Sequence, residues 1–162
     1  MSFEKPEKSS GTRHKAREAA LQMLFAADLA KTTPEDLCNN YWDTLGEDGL
    51  DAATRDFADS LAKGALEKIE VVDERIKQRA EHWRIERMAC VDRNILRLAI
   101  YELLYRDTPA TVIINEGLEL ARCFSTFEST QFINGILDAI KHDLENDAST
   151  ADDASKTKAT SK

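Results

Sequence analysis

Arg13-His14-Lys15-Ala16-Arg17 puts three fixed positive charges and a histidine within five residues. The chain around them is acidic, with a formal net charge of -8 over 162 residues, so this knot is a local exception to the field of the whole molecule. Clustered Arg and Lys hold phosphate groups, and a phosphate backbone is the commonest large partner that rewards them. A solvated helix face uses the same residue types. Arg13 and Arg17 are four apart and share a helix face, while His14, Glu18 and Phe25 lie close together on an adjoining one. A phenylalanine beside cations stacks on an unpaired base while Arg and Lys hold phosphates; the spacing of Phe25 suits plain core equally well. Three charges are few. About 0.7 counterions are released per single-strand phosphate contact, so the patch alone predicts weak RNA binding, a modest salt dependence and the need for a second protein surface.

Catalytic chemistry finds less support. The sequence has no GxGxxG, P-loop, GxSxG or HExxH pattern. Glu102 falls with Val91, Ile95 and Leu98 on a buried helix face. A buried carboxylate needs a cation or several donors, or its pKa rises and it becomes a candidate general base; a structural pair is the commoner outcome. Glu116, beside Asn115, raises the same question, and Asn134 next to Gly135 reads as a helix–helix hydrogen bond. Cys38, Cys90 and Cys123 are odd in number and widely spaced, which suits small buried hydrophobes in a reducing cytosol. His14, His82 and His142 are equally scattered, so a metal site would need the fold to bring its ligands together, and neither a metal nor a cofactor is expected.

These residues must be positioned by a soluble domain. Hydrophobic content is 42% and charged content 32%, no apolar run nears the ~20 residues of a membrane span, and Met1–Pro6 has no apolar signal region, so a cytoplasmic protein is expected. Charges cancel within residues 1–12 and within 146–162, so the acidic excess lies between them and non-specific nucleic-acid binding is disfavoured. The polar start predicts a disordered segment over 1–12. The low-complexity Ala/Ser/Thr/Asp/Lys end predicts a flexible tail over 146–162, because neither stretch buries enough apolar surface to offset ordering entropy.

Between them, over 13–145, the pattern predicts about seven helices and no strand. Thr12 caps a first helix carrying Ala16, Ala20, Met23, Leu24 and Ala27. Thr33-Pro34 opens a second, closed by Gly46, and Asp51 opens a third with Phe57, Leu61 and Ala65 inward. A short fourth runs from about Val72 to Ala80. The fifth, from Val91, is apolar on nearly every side except a narrow stripe of Asn94, Arg97, Tyr101 and Tyr105, which marks it as central. Asp107-Thr108-Pro109 breaks it. A sixth carries Val112 to Phe124, and a Ser125/Glu128 capping box opens a seventh with Phe132, Ile133, Ile136, Leu137, Ile140 and Leu144. Gly117 and Gly135, inside helical patterns, predict close approach of neighbouring helices.

Arg17-Glu18-Ala19-Ala20-Leu21-Gln22-Met23-Leu24-Phe25 resembles the opening helix of the NusB transcription antitermination factors. So do Arg87-Met88 with Val91 to Leu103, Pro109 with Val112 to Gly117, and Phe132 to Asp138; the resemblance covers about residues 12–145. It implies an all-α fold of two packed helical subdomains. It also implies a non-enzymatic factor that binds boxA RNA with the small-subunit ribosomal protein NusE, in an antitermination complex on RNA polymerase during ribosomal RNA transcription. Carried over by position, the RNA-binding residues are Arg13, His14, Lys15, Arg17, Gln22 and Phe25, with Glu128 and Phe132 at RNA-proximal places. His14 and Lys15 dilute what is often a run of arginines, and Phe25 stands where tyrosine is common, so a lower RNA affinity and one lost hydroxyl contact are implied. The same domain occurs in front of a ribosomal RNA methyltransferase; this chain has no room for one, which favours the stand-alone factor. The competing readings are a non-enzymatic protein–protein adaptor or homodimeric structural protein, and, more distantly, an enzyme using Glu102 or Glu116.

Overall fold

The computed structural model describes residues 8–44, 49–81 and 83–159. Among them are seven α-helices and one short 3-10 turn: α1 (Lys8–Ala30), α2 (Pro34–Thr44), α3 (Ala52–Glu67), α4 (Ile69–Arg79), the turn Ile85–Arg87, α5 (Cys90–Tyr105), α6 (Ala110–Phe124) and α7 (Phe127–Ala159). No described residue is in a strand. Helices α1, α2 and α3 pack on one another, and α5, α6 and α7 do the same, with α4 laid against α5 and α7. The two groups make the two packed subdomains. Helix α5 joins them, touching α1 and α3 on one side and α6 and α7 on the other.

Local chemistry explains most boundaries. Thr33 Oγ1 accepts from Asp36 N at 3.3 Å at the start of α2, and Asp51 Oδ1 accepts from Thr54 N at 2.8 Å at the start of α3. Pro109 precedes the first residue of α6, as the break in the sequence implies. Three expected helix boundaries need correction. Thr12 is not a cap, because α1 already begins at Lys8. The cap of α7 is one residue later than expected: Thr126 Oγ1 accepts from Ser129 N at 3.1 Å, while the Ser125 hydroxyl donates to Asp92 instead. The fourth helix starts at Ile69, three residues before Val72. Helix α7 continues through the low-complexity stretch to Ala159, with residues 145–150 all exposed. Gly46 and His82 lie outside the described residues.

The core runs through both subdomains. Met23, Leu61, Ile76, Ile95, Leu98, Ile100, Leu120, Ile133 and Leu137 are among its fully buried side chains. Gly117 meets the expectation of close helix approach, since a Cβ there would sit 3.4 Å from Leu137 and 3.6 Å from Ala99. Gly135 does not: it is exposed and its added Cβ would meet nothing within 4 Å. Asn134 is likewise exposed rather than bonded between helices. The tightest glycine is Gly64 of α3, where an added Cβ would lie 2.0 Å from the Tyr101 hydroxyl oxygen.

Asn94, Arg97 and Tyr101 of the polar stripe on α5 are buried, while Tyr105 at its end is exposed. Asp28 of α1 accepts from Arg93 at 2.7 and 2.8 Å, from Asn94 at 3.0 Å and from Arg97 at 3.2 Å, and Arg97 also donates to both carboxylate oxygens of Asp73 on α4. Burial pushes the Asp28 carboxyl up, but the hydrogen bonds from Arg93, Asn94 and Cys90 and the charge of Arg97 together outweigh it and hold it below its ordinary value. This hub ties α1, α4 and α5 together.

Candidate nucleic-acid interface

The basic knot lies on the second and third turns of α1, and the fold splits its members between two roles. Arg13 and Lys15 are exposed. Neither has a carboxylate within ion-pair distance among the described residues. Arg17 is different: it is buried, and its guanidinium donates from Nε and Nη2 to the two oxygens of Glu102, each at 3.0 Å. This is a fork-on-fork arrangement. It satisfies the buried carboxylate of α5, so Glu102 has the pairing role, and burial withdraws Arg17 from solvent. Arg13 and Arg17 share a face, as their spacing implies, and that face dips from solvent into the junction of α1 and α5 within one turn.

His14 is also engaged. Its Nδ1 lies 2.8 Å from Glu116 Oε2 on α6, and its Nε2 lies 3.0 Å from Glu18 Oε1 one turn along α1. Glu116, like Glu102, has a basic partner. The Arg13 guanidinium sits over the ring of Phe57 on α3, 4.9 Å from its centroid, and Arg17 lies 5.6 Å from the same ring. Gln22 is exposed, and its Oε1 accepts from the Tyr41 hydroxyl of α2 at 2.6 Å. Phe25 is half-buried, between its two expected uses.

Glu128 and Phe132, on the first two turns of α7, lie elsewhere. They line a cleft of about 190 Å³ with Trp83, Arg87, Met88, Ala89, Asp92 and Ser129. Trp83 is 59% exposed and meets Phe132 edge-on, with centroids 6.1 Å apart. Spacing gave no reason to single out Trp83, which stands in the link between α4 and α5 with no periodic pattern around it. Its neighbours Arg84 and Arg87, both exposed, were the available signal.

The knot and the cleft sit at opposite ends of α5. The cleft uses Asp92 at its start, whereas Arg17 meets Glu102 near its finish. Ten residues of helix separate those levels, roughly 15 Å at 1.5 Å per residue. The fold therefore does not merge the expected site residues into one pocket; it makes two separate patches. Among the described residues no group of three or more His, Cys, Asp or Glu side chains is arranged to hold a metal ion, and no helix is long and apolar enough to cross a membrane.

Comparison with known proteins agrees with this architecture. The family model described as NusB family matches residues 14–142. The transcription antitermination protein NusB of Solibacter usitatus (strain Ellin6076) is 52% identical over 134 residues, covering 82% of this chain and 90% of that protein. NusB of Koribacter versatilis (strain Ellin345) is 47% identical over 137 residues, 84% of this chain and 92% of that protein. Among solved structures, T. maritima NusB superposes with a TM-score of 0.72 at 35% identity, covering 80% of this chain and 90% of that one. A chain in the crystal structure of antitermination factors NusB and NusE in complex with dsRNA superposes with a TM-score of 0.70 at 27% identity, over 81% of this chain and 96% of that one. With the match spanning both helical groups and the α5 segment that joins them, this chain belongs to the NusB family.

Proposed function

We propose that the chain is a transcription antitermination factor that binds boxA-type RNA together with NusE through its helical domain, residues 13–145. In this reading it is a non-enzymatic, cytoplasmic member of the antitermination complex on RNA polymerase and supports ribosomal RNA transcription. The observation that carries the reading is a contrast of charge: in a family member of net charge -8, Arg13 and Lys15 stand exposed and unpaired with carboxylates among the described residues. A solved NusB of the same fold, 27% identical, is in complex with NusE and dsRNA.

The two patches have complementary chemistry. Arg13 and Lys15 supply phosphate contacts, while Trp83 and Phe132 offer aromatic surface to a base, with Arg87 beside them. Glu128 accepts hydrogen bonds and repels phosphate, so its place is at a base edge. Two patches about 15 Å or more apart along α5 suit an extended polymer better than a small ligand. His14 serves the α1–α6 junction and Arg17 the α1–α5 junction, so neither is counted among the phosphate contacts. The two exposed cations of the knot, even with Arg87 at the cleft, are few for tight binding alone, which is why a second protein is part of the reading.

The test is retention of boxA-type RNA and of a scrambled RNA of equal length, each with and without NusE. Preferential retention of boxA, strengthened by NusE, supports the proposal. Equal retention of both RNAs, or none, contradicts it and favours a protein–protein adaptor or homodimer.

A further inference from the structure

We propose that Phe57 is a positioning residue for Arg13, fixing the one arginine of the basic knot that remains open to solvent; this rests on the RNA reading above. The knot has two arginines, and one aromatic ring meets both. Arg17 lies 5.6 Å from the Phe57 centroid and is itself locked to Glu102 by two hydrogen bonds of 3.0 Å. Arg13 lies over the same ring at 4.9 Å and is exposed. Phe57 is half-buried and packs on the core, so the ring does not move freely.

The physics favours this use. A guanidinium over an aromatic face is held by the ring quadrupole while its N–H edge stays free to fork onto a phosphate. An unsupported arginine loses rotamer freedom when it binds; an arginine already held over a ring loses less. The arrangement is a stack of three parts: the Arg17–Glu102 pair braces the ring, the ring holds Arg13, and Arg13 faces solvent. It also gives Phe57 of α3, a large aromatic at the rim of the core, a part in a site otherwise built from α1.

The experiment uses the full chain with NusE. Phe57→Leu, Phe57→Tyr, Arg13→Ala, Arg13→Lys and the Phe57→Leu/Arg13→Ala double variant are compared for boxA-type RNA affinity, and the Arg13 side-chain proton resonances are followed by NMR without RNA. The expected result is that Phe57→Leu removes the ring-current shift of the Arg13 protons and weakens RNA binding about two- to five-fold. The double variant should bind no worse than Arg13→Ala, and Phe57→Tyr should bind like the unsubstituted chain. Arg13→Lys, which disturbs no core packing, should lose part of the affinity despite keeping its charge.

Arg13 protons that do not move in Phe57→Leu would overturn the proposal whatever the RNA result. If Arg13→Ala weakens binding and Phe57→Leu does not, the positioning role fails while the RNA reading stands. If the ring-current shift is present and no Arg13 variant alters RNA affinity, it is the RNA role of Arg13 that fails, and the positioning role fails with it.

Discussion

The Arg17 guanidinium meets the Glu102 carboxylate across the α1–α5 junction with two 3.0 Å hydrogen bonds, and both side chains are 3% exposed or less. Two residues that invite functional readings, a cation in a basic knot and a carboxylate on an apolar helix, thereby explain each other. Removing one partner strands a buried charge. Arg17→Ala is expected to lower unfolding free energy by about 3–5 kcal/mol, and the apolar pair Arg17→Met/Glu102→Leu to recover most of it. Urea denaturation of the original chain and the two variants checks this; an Arg17→Ala variant as stable as the original chain would show that the pair does not form in solution.

Asp28 gives the fold a defined acid sensitivity. Its carboxyl is held below its ordinary value of 3.8 in the folded chain, burial being outweighed by Arg93, Asn94, Cys90 and Arg97 together. A depressed folded pKa contributes stability that is complete above the unfolded value and is lost as pH falls through the folded one. Asp28→Asn is therefore expected to cost about 1–3 kcal/mol at neutral pH, with the difference from the original chain shrinking below about pH 4. Denaturation midpoints from pH 7 down to pH 3 measure it; a gap that stays constant with pH would exclude this role for the carboxylate.

Gly64 and Gly135, both inside helices, are expected to respond to alanine in opposite directions. A Cβ at Gly64 would sit 2.0 Å from the Tyr101 hydroxyl oxygen and 2.2 Å from the ring carbon bearing it, and that ring is buried. Overpacking of this kind costs roughly 1–3 kcal/mol. At Gly135 an added Cβ meets nothing within 4 Å, so alanine is expected to gain about 0.5–1 kcal/mol through helix propensity. Thermal melts of both variants decide it, and a stabilising Gly64→Ala would refute the close α3–α5 approach.

Cysteine reactivity follows burial. Burial, followed by the charge of Asp59, pushes the Cys38 thiol up to about 12, whereas Cys123 is exposed. A thiol-specific reagent at neutral pH is expected to label Cys123 first, Cys90 more slowly, and Cys38 only on unfolding. Mass spectrometry of the time course tests the order; early labelling of Cys38 would contradict the packing of α2 on α1.

Much of the fold was legible in the sequence because period and punctuation act locally. Pro34, Asp51 and Pro109 mark helix starts where the structure has them, and the apolar wrap of α5 announces its central position. What could not be read is which distant groups meet. The polar stripe Asn94, Arg97, Tyr101, Tyr105 was visible as a stripe, but the burial of Asn94 and Arg97 depends on Asp28 and Asp73 arriving opposite them. Arg17 and Glu102 are 85 residues apart in sequence, so no spacing rule connects them. The same limit affected the candidate site: Arg13 and Lys15 were found from charge alone, whereas Trp83 depends on α7 bringing Phe132 to it.

The proposed RNA site depends most directly on Arg13 and Lys15 meeting RNA phosphates. The measurement is the affinity of the chain with NusE for boxA-type RNA across a salt series, for the original sequence and for Arg13→Ala/Lys15→Ala. Loss of two single-strand phosphate contacts should reduce the slope of log affinity against log salt by about 1.4, with weaker binding at low salt and an unchanged melting temperature. An unchanged slope with unchanged affinity would place the RNA elsewhere and contradict the account.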